Sequence, residues 1–286
     1  MNFEIPTKTP VTVVSLLPSG TANLLDLGLG DRLVGVTDYC HFPEVEKAHV
    51  QRIGGPKSVD LQKVIELRPD LVLANQEEND RNQVMDLIAA GLPVWVSFPK
   101  TVADSIQELW KLVEIFRLDS TREVVLWLEK AVEWQQLATY DQPRKKCFCP
   151  IWQGECKGVP YWMTFNRDTY CDSLIDLVGG ENVFGDRERK YPLEAELGLE
   201  KAQETGDRDR RYPAVRAEDV IDRNPDLILL PDDPYVFQDQ DVESMKSLFA
   251  ETNAAKSGSI YKVDGSLITW PGTRIGKAIA ELPQYF

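Results

Sequence analysis

Gln62-Lys-Val-Ile-Glu-Leu-Arg-Pro-Asp-Leu-Val-Leu73 returns 156 residues later as Glu218-Asp-Val-Ile-Asp-Arg-Asn-Pro-Asp-Leu-Ile-Leu229. Each copy reads as a helix that stops ahead of a proline, because proline disfavours helical backbone in the residue before it. A short strand of Leu, Val and Ile follows. A second pair stands in the same order: Leu24-Leu-Asp-Leu-Gly-Leu-Gly-Asp-Arg-Leu-Val-Gly35 and Leu174-Ile-Asp-Leu-Val-Gly-Gly-Glu-Asn-Val-Phe-Gly185, offset by 150 residues. The difference between the offsets fits an insertion in the charged stretch 186–211. Two matched blocks in one order imply two lobes of one architecture.

Apolar strands without polar alternation, separated by helices, point to parallel sheets covered on both faces. In the first lobe these are 11–16, 33–37, 71–74 and 94–97, and in the second 147–152, 227–230, 260–263 and 267–269. Between them, 102–140 carries no strand signal. Asp119 and Ser120 look like a helix cap, with Glu123 placed for a capping box on Ser120. Val124, Val125, Leu128, Ala131, Val132 and Gln135 then recur at helical spacing. About 20 residues at 1.5 Å rise give a rod of roughly 30 Å, long enough to join two lobes and stiffer than a Gly/Ser hinge. The expected fold is α/β: two Rossmann-like lobes with central parallel sheets, 1–118 and 143–286, joined by a backbone helix over 119–142.

Acids outnumber bases 46 to 32, for a net charge of −14. Such a surface repels phosphate backbones and offers no polybasic patch to an anionic membrane, so neither nucleic-acid binding nor membrane insertion is expected. The first ten residues have no cationic segment followed by a long apolar one, and no stretch has the length to span a bilayer. The five cysteines, Cys40, Cys147, Cys149, Cys156 and Cys171, are an odd number, which suits a reducing compartment. Both signals favour a cytoplasmic chain, with a periplasmic or extracellular one only if a leader has been removed. The chain is expected to act as a monomer.

Val14-Ser-Leu-Leu-Pro-Ser-Gly-Thr21, Gly28-Leu-Gly-Asp-Arg-Leu-Val-Gly-Val-Thr-Asp-Tyr-Cys40, Arg68-Pro-Asp-Leu-Val-Leu73 and Gly179-Gly-Glu-Asn-Val-Phe184, in this order and spacing, resemble the helical-backbone class of ABC-transporter substrate-binding proteins. The likeness runs from Val11 to Leu282. Thr37-Asp-Tyr-Cys40, with Trp270 followed by Arg274, leans it toward the cobalamin-binding branch. The resemblance implies a metal-centred macrocycle, cobalamin or a related corrinoid, held in a cleft between the lobes; haem and ferric siderophores are the alternative ligands. No further cofactor is implied. It also implies docking of a helix-borne glutamate from each lobe onto a permease. Glu218 stands at that position in the second lobe, but Gln62 stands in the first. With one docking charge gone, a carrier, scavenger or sensor in the cytoplasm is the expected role.

Three clusters follow the strands, where open α/β sheets bind ligands. Pro18, Ser19, Gly20 and Thr21 turn into a helix whose exposed N–H groups suit an anion, or else Ser19 or Thr21 simply caps it. Asp38, Tyr39, Cys40 and His41 come next; by resemblance Tyr39 offers a ring face. In the second lobe Trp152, Tyr161, Trp162, Phe165 and Tyr170 crowd an expected loop, and Trp270-Pro-Gly-Thr-Arg274 follows the last expected strand. Aromatics in loops suit a flat apolar ligand. Trp110, Trp127 and Trp134 lie on helical segments and are read as packing. Arg274 faces either an acidic group of the ligand or Asp232 or Asp233.

A tetrapyrrole chelatase is the enzyme alternative, but its chemistry needs a metal- or proton-handling group and only His41 and His49 exist. His49 reads as solvated. Gly28-Leu-Gly30 follows a helix and lacks a third glycine, so it is no dinucleotide fingerprint. Cys147-Phe-Cys149 has one intervening residue where zinc sites use two to four, so these thiols, with Cys156, are read as core rather than metal ligands. No catalytic residue and no metal site is expected.

Overall fold

The structure, a computed structural model, describes residues 6–47, 50–118 and 121–286. The chain divides into two compact units, Met1–Pro99 with Ala103–Glu129, and Lys100–Val102 with Lys130–Phe286.

Unit 1 runs β1 (Val13–Ser15), α1 (Pro18–Asp26), β2 (Leu33–Val36), α2 (Pro43–Lys47), β3 (Gln51–Arg52), β4 (Gly54–Gly55), β5 (Ser58–Val59), α3 (Leu61–Leu67), β6 (Leu71–Asn75), α4 (Arg81–Ala89), β7 (Val94–Ser97) and α5 (Val102–Phe116), whose first residue falls in the other unit. Five strands form a sheet in the order β3-β2-β1-β6-β7, every neighbour parallel. β1 and β6 are buried along their whole length, which explains their unbroken apolar sequence. The chain steps from β1 to β2 and β3 on one side and continues through β6 and β7 on the other. The loops after β1 and β6 therefore flank the point where strand order reverses.

Unit 2 contains β8 (Lys145–Phe148), β9 (Trp152–Cys156), β10 (Val159–Met163), α7 (Tyr170–Leu177), β11 (Gly180–Asn182), α8 (Leu193–Glu196), β12 (Ala214–Val215), α9 (Ala217–Arg223), β13 (Leu227–Pro231), α10 (Asp239–Leu248), α11 (Asn253–Ser257), β14 (Ile260–Val263), α12 (Ser266–Thr269) and α13 (Arg274–Glu281). Its parallel sheet has the order β11-β8-β13-β14, and an antiparallel sheet, β12-β10-β9, is added. Phe148, Trp162, Phe184, Ile228, Leu230 and Phe249 lie at the centre of its core. The α6 helix (Arg122–Thr139) is one uninterrupted element, and the division between units falls within it. Residues 119 and 120, the expected cap, lie outside the described residues, as does His49.

The sequence repeat is a topological one. β1, β2 and β6 occupy the places that β8, β11 and β13 take in unit 2. The helix before β6 ends at Arg68 and the helix before β13 at Asn224, both left-handed (φ 45° and 46°). The Pro-Asp that follows each has a mechanical role. Asp70 accepts from the backbone N–H groups of Val11 and Thr12 at 2.8 and 3.0 Å, and Asp226 accepts from that of Lys146 at 3.2 Å. Each carboxylate thus ties the start of the neighbouring strand to its own.

Three expectations are corrected. The run 267–269 is helical in α12, because Asp264 accepts from Ser266 N at 3.0 Å and Ser266 Oγ at 2.6 Å and so begins a turn. A short apolar run has no period to betray its state. The strand expected over 147–152 ends at Phe148, short of Pro150, and Trp152 opens β9. Trp127 and Trp134, read as packing, are 66% and 62% exposed. The buried stripe of α6 is Val125, Leu128, Val132 and Thr139, about 100° round the helix from the two indoles. Trp110 is half-buried under the guanidinium of Arg122, 5.5 Å from the ring centroid.

Candidate functional site

In unit 1 the C-terminal edge of the sheet is held by an amide network. Asn79 accepts from Asn75 N at 2.8 Å and donates to the carbonyls of Leu16 at 2.9 Å and Pro56 at 3.1 Å. One side chain thereby joins the loop after β1, the loop after β6 and the β4–β5 hairpin. Asn75 accepts from Glu77 N at 2.7 Å, which shapes the loop that carries Glu78. Ser19 donates to the Glu78 carboxylate at 3.3 Å. Thr21 donates instead to Leu17 O at 3.1 Å, so neither hydroxyl caps α1, whose first residue is Pro18. The alternative that these residues merely cap the helix is not realised.

Tyr39 stands out from the same edge, 65% exposed, in the loop after β2. That loop is fixed from beneath. Cys40 is buried, with its sulfur 3.3 Å from Thr21 Oγ1 and 3.2 Å from Thr37 Oγ1, and burial pushes its thiol up from the ordinary value. Arg52 donates to the carbonyls of Thr37 and Cys40 at 2.8 and 2.9 Å. His41 is exposed, 3.8 Å from Glu46. After β7, Glu108 of α5 accepts from Phe98 N at 2.9 Å, and burial raises its carboxyl to about 7.

In unit 2 the equivalent edge presents Trp270. Its indole N–H donates to Asp233 at 2.9 Å, and Thr269 donates to the same oxygen at 3.1 Å. Asp232 accepts from Gly265 N at 2.7 Å, and a Cβ at Gly265 would stand 2.4 Å from the backbone nitrogen of Asp233. The two aspartates after β13 thus grip the segment that carries Trp270. Arg274 stacks over that ring, 5.8 Å from its centroid. Among the described residues it pairs with neither Asp232 nor Asp233, and its Nε is buried without a hydrogen-bond partner. Trp152 meets Tyr235 edge-on at 5.3 Å and is partly exposed.

Two residues expected at this edge are core instead. Trp162 lies inside β10, 5% exposed, packed on Phe249 at 5.3 Å. Phe165 is 1% exposed, beyond the end of that strand. A period of two on the pleat turns Trp162 inward and leaves Tyr161, its neighbour, over Gly154. Sequence alone did not point to Asn75, Glu78 or Asn79, and pointed to Asp233 only as a partner for Arg274 rather than for Trp270. Their signal was position: Asn75 ends the buried β6, Glu78 and Asn79 follow it and Asp233 follows β13, at the strand edge expected to carry the site. Cys147, Cys149 and Cys171 are buried, and desolvation raises the Cys147 and Cys149 thiols. Among the described residues no group of three or more His, Cys, Asp or Glu is arranged to hold a metal ion.

Glu218 and Gln62 take matching places, each second in its helix, α9 and α3. Glu218 is exposed and 3.6 Å from Arg216, whereas Gln62 donates to Glu66 at 2.8 Å.

A family described as periplasmic binding protein matches residues 13–267. An uncharacterized ABC transporter substrate-binding lipoprotein of Bacillus subtilis, YvrC, is 27% identical over 97% of this chain and 80% of its own length. A vitamin B12-binding protein of Yersinia pestis is 25% identical over 80% of this chain and 72% of its own length. The structure of the periplasmic haem-binding protein RhuT of Roseiflexus superposes with a TM-score of 0.72 at 19% identity, covering 96% of this chain and 97% of that one. These findings overturn the cytoplasmic placement: the relatives are periplasmic proteins or lipoproteins, which points outside the cytoplasm. The cysteine count misled for a physical reason. Four of the five thiols are buried, and a buried thiol is withheld from oxidation in any compartment, so an odd number carries no redox signal here.

Proposed function

We propose that this chain, which belongs to the periplasmic binding protein family, is the ligand-capturing component of an ABC importer and that its ligand is a corrinoid. The observation that carries the proposal is the Trp270–Arg274 pair. A ring fixed by Asp233 offers a flat apolar face, and a guanidinium with an unpaired buried Nε lies against it. That combination suits a large planar ligand with polar groups on its rim. Tyr39, exposed after β2, is a further candidate contact, whereas Pro18 and Ser19, at the start of α1, are buried. The Yersinia relative's ligand supports the corrinoid choice. Burial withdraws Trp162 and Phe165 from the proposed contact set.

Binding rather than chelatase chemistry fits this inventory, since His41 sits on the surface, 3.8 Å from the Glu46 carboxylate. Glu218 is the proposed contact to a permease, with Gln62 a weaker second point because it brings no charge. Haem is the second reading, favoured by Arg274, because haem carries rim carboxylates that would satisfy a guanidinium. Isothermal titration with cyanocobalamin, cobinamide, haemin and a ferric siderophore separates them. The corrinoids should bind most tightly, near one to one; haemin heat without corrinoid heat overturns the ligand while sparing the fold.

A further inference from the structure

The α6 helix carries two apolar seams and the fold uses one. Val125, Leu128, Val132 and Thr139 are buried. Val124, Trp127, Ala131, Trp134 and Ala138 recur at the same three-and-four spacing about 100° round the helix, where both indoles are about two thirds exposed. Leu137 and Leu126 flank them, 75% and 41% exposed. At roughly 150–250 Å² per aromatic side chain, the two indoles alone leave about 200–300 Å² open. With Val124, Leu126 and Leu137 the strip reaches the few hundred Å² at which an exposed apolar patch on a monomer signals an interaction site.

We infer that this seam pairs with the same seam of a second copy of the chain, antiparallel, as a weak homodimer. The residue sizes select the occupant and the direction. Val124, Ala131 and Ala138 fall at one heptad position, and Trp127 and Trp134 at the other. Antiparallel pairing sets each position against the opposite kind, so Trp134 meets Ala131 of the second copy and Trp127 meets its Ala138. Parallel pairing would set indole against indole and alanine against alanine, leaving gaps. An antiparallel pair is also isologous and therefore closes as a dimer. A lipid surface fits less well: the chain has a net charge of −14, and Lys130, beside the seam, is paired with Glu133 at 2.7 Å. The 18-residue helix offers a strip about 27 Å long, smaller than a standard interface, which is why the pairing is weak.

Sedimentation velocity over a concentration series tests the pairing. The parent should pass from monomer to dimer, and added salt should tighten the dimer by screening two bodies of like charge. Trp127→Gln combined with Trp134→Gln should weaken it by about 100-fold or more, as for losing two central aromatic anchors. Ala131→Trp, which fills the pocket for the opposite indole, should also break it. Tyr140→Gln, exposed but off the seam, should leave the constant unchanged, and circular dichroism melts confirm that each variant folds. A parent that stays monomeric at every concentration overturns the inference. So does a dimer indifferent to the Trp pair, or flotation of the parent with phosphatidylcholine vesicles that the Trp substitutions abolish.

Discussion

Replacing Glu108 by Gln should make the protein more stable at pH 8 and flatten its stability between pH 5 and 7. Glu108 lies in α5 with its carboxyl largely withdrawn from water, accepting from Phe98 N at 2.9 Å. Desolvation raises it from the ordinary 4.5 to about 7, against the smaller opposing effects of that hydrogen bond and of Lys111, with Asp104 adding a little to the rise. The folded chain therefore keeps this proton up to about pH 7, while the unfolded chain releases it near 4.5. Between those values the native state binds more protons, so stability declines as pH rises, and above them the whole increment is lost. A rise from 4.5 to about 7, at 1.36 kcal/mol per pH unit, corresponds to about 3 kcal/mol. Glutamine keeps an oxygen that accepts from Phe98 N and never ionises. Urea melts of parent and variant at pH 5, 6, 7 and 8 read the difference directly. The variant should gain about 2–3 kcal/mol on the parent between pH 5 and pH 8. Parallel stability curves over that range would refute the reasoning.

Trp270→Ala should weaken ligand binding by about 1–3 kcal/mol with little change in melting temperature, the pattern of a binding-site aromatic. Trp162→Ala should do the reverse, costing about 3–5 kcal/mol of stability, as for emptying a packed aromatic site, with affinity nearly kept; titration and melting of both variants check the pair. Asp70→Asn should cost about 1 kcal/mol at pH 6, less than a buried charged hydrogen bond because the carboxylate faces solvent. The backbone N–H groups of Val11 and Thr12 hold Asp70 below its ordinary 3.8, so the parent's advantage should persist above that value and fade as pH falls below it; denaturant melts at pH 6 and pH 2 measure this.

Local chemistry made much of the fold legible. Proline after Arg68 and Asn224 forces helix to end, and the Asp that follows clamps the adjacent strand, so the same short phrase marks the same βα step twice. Strands buried on both faces announce themselves by composition alone. From those two signals the sequence determined the α/β class and the parallel strands. It could not say which side of α6 would be covered, because Val125–Val132 and Trp127–Trp134 are equally regular seams and only neighbouring elements choose between them. Nor could it tell that Trp162 points into the core while Trp270 is held at the edge by Asp233, some 37 residues away in sequence. Contacts between distant segments decide which apolar side chains lose their water, and the energy of that choice resides in partners that no local window contains.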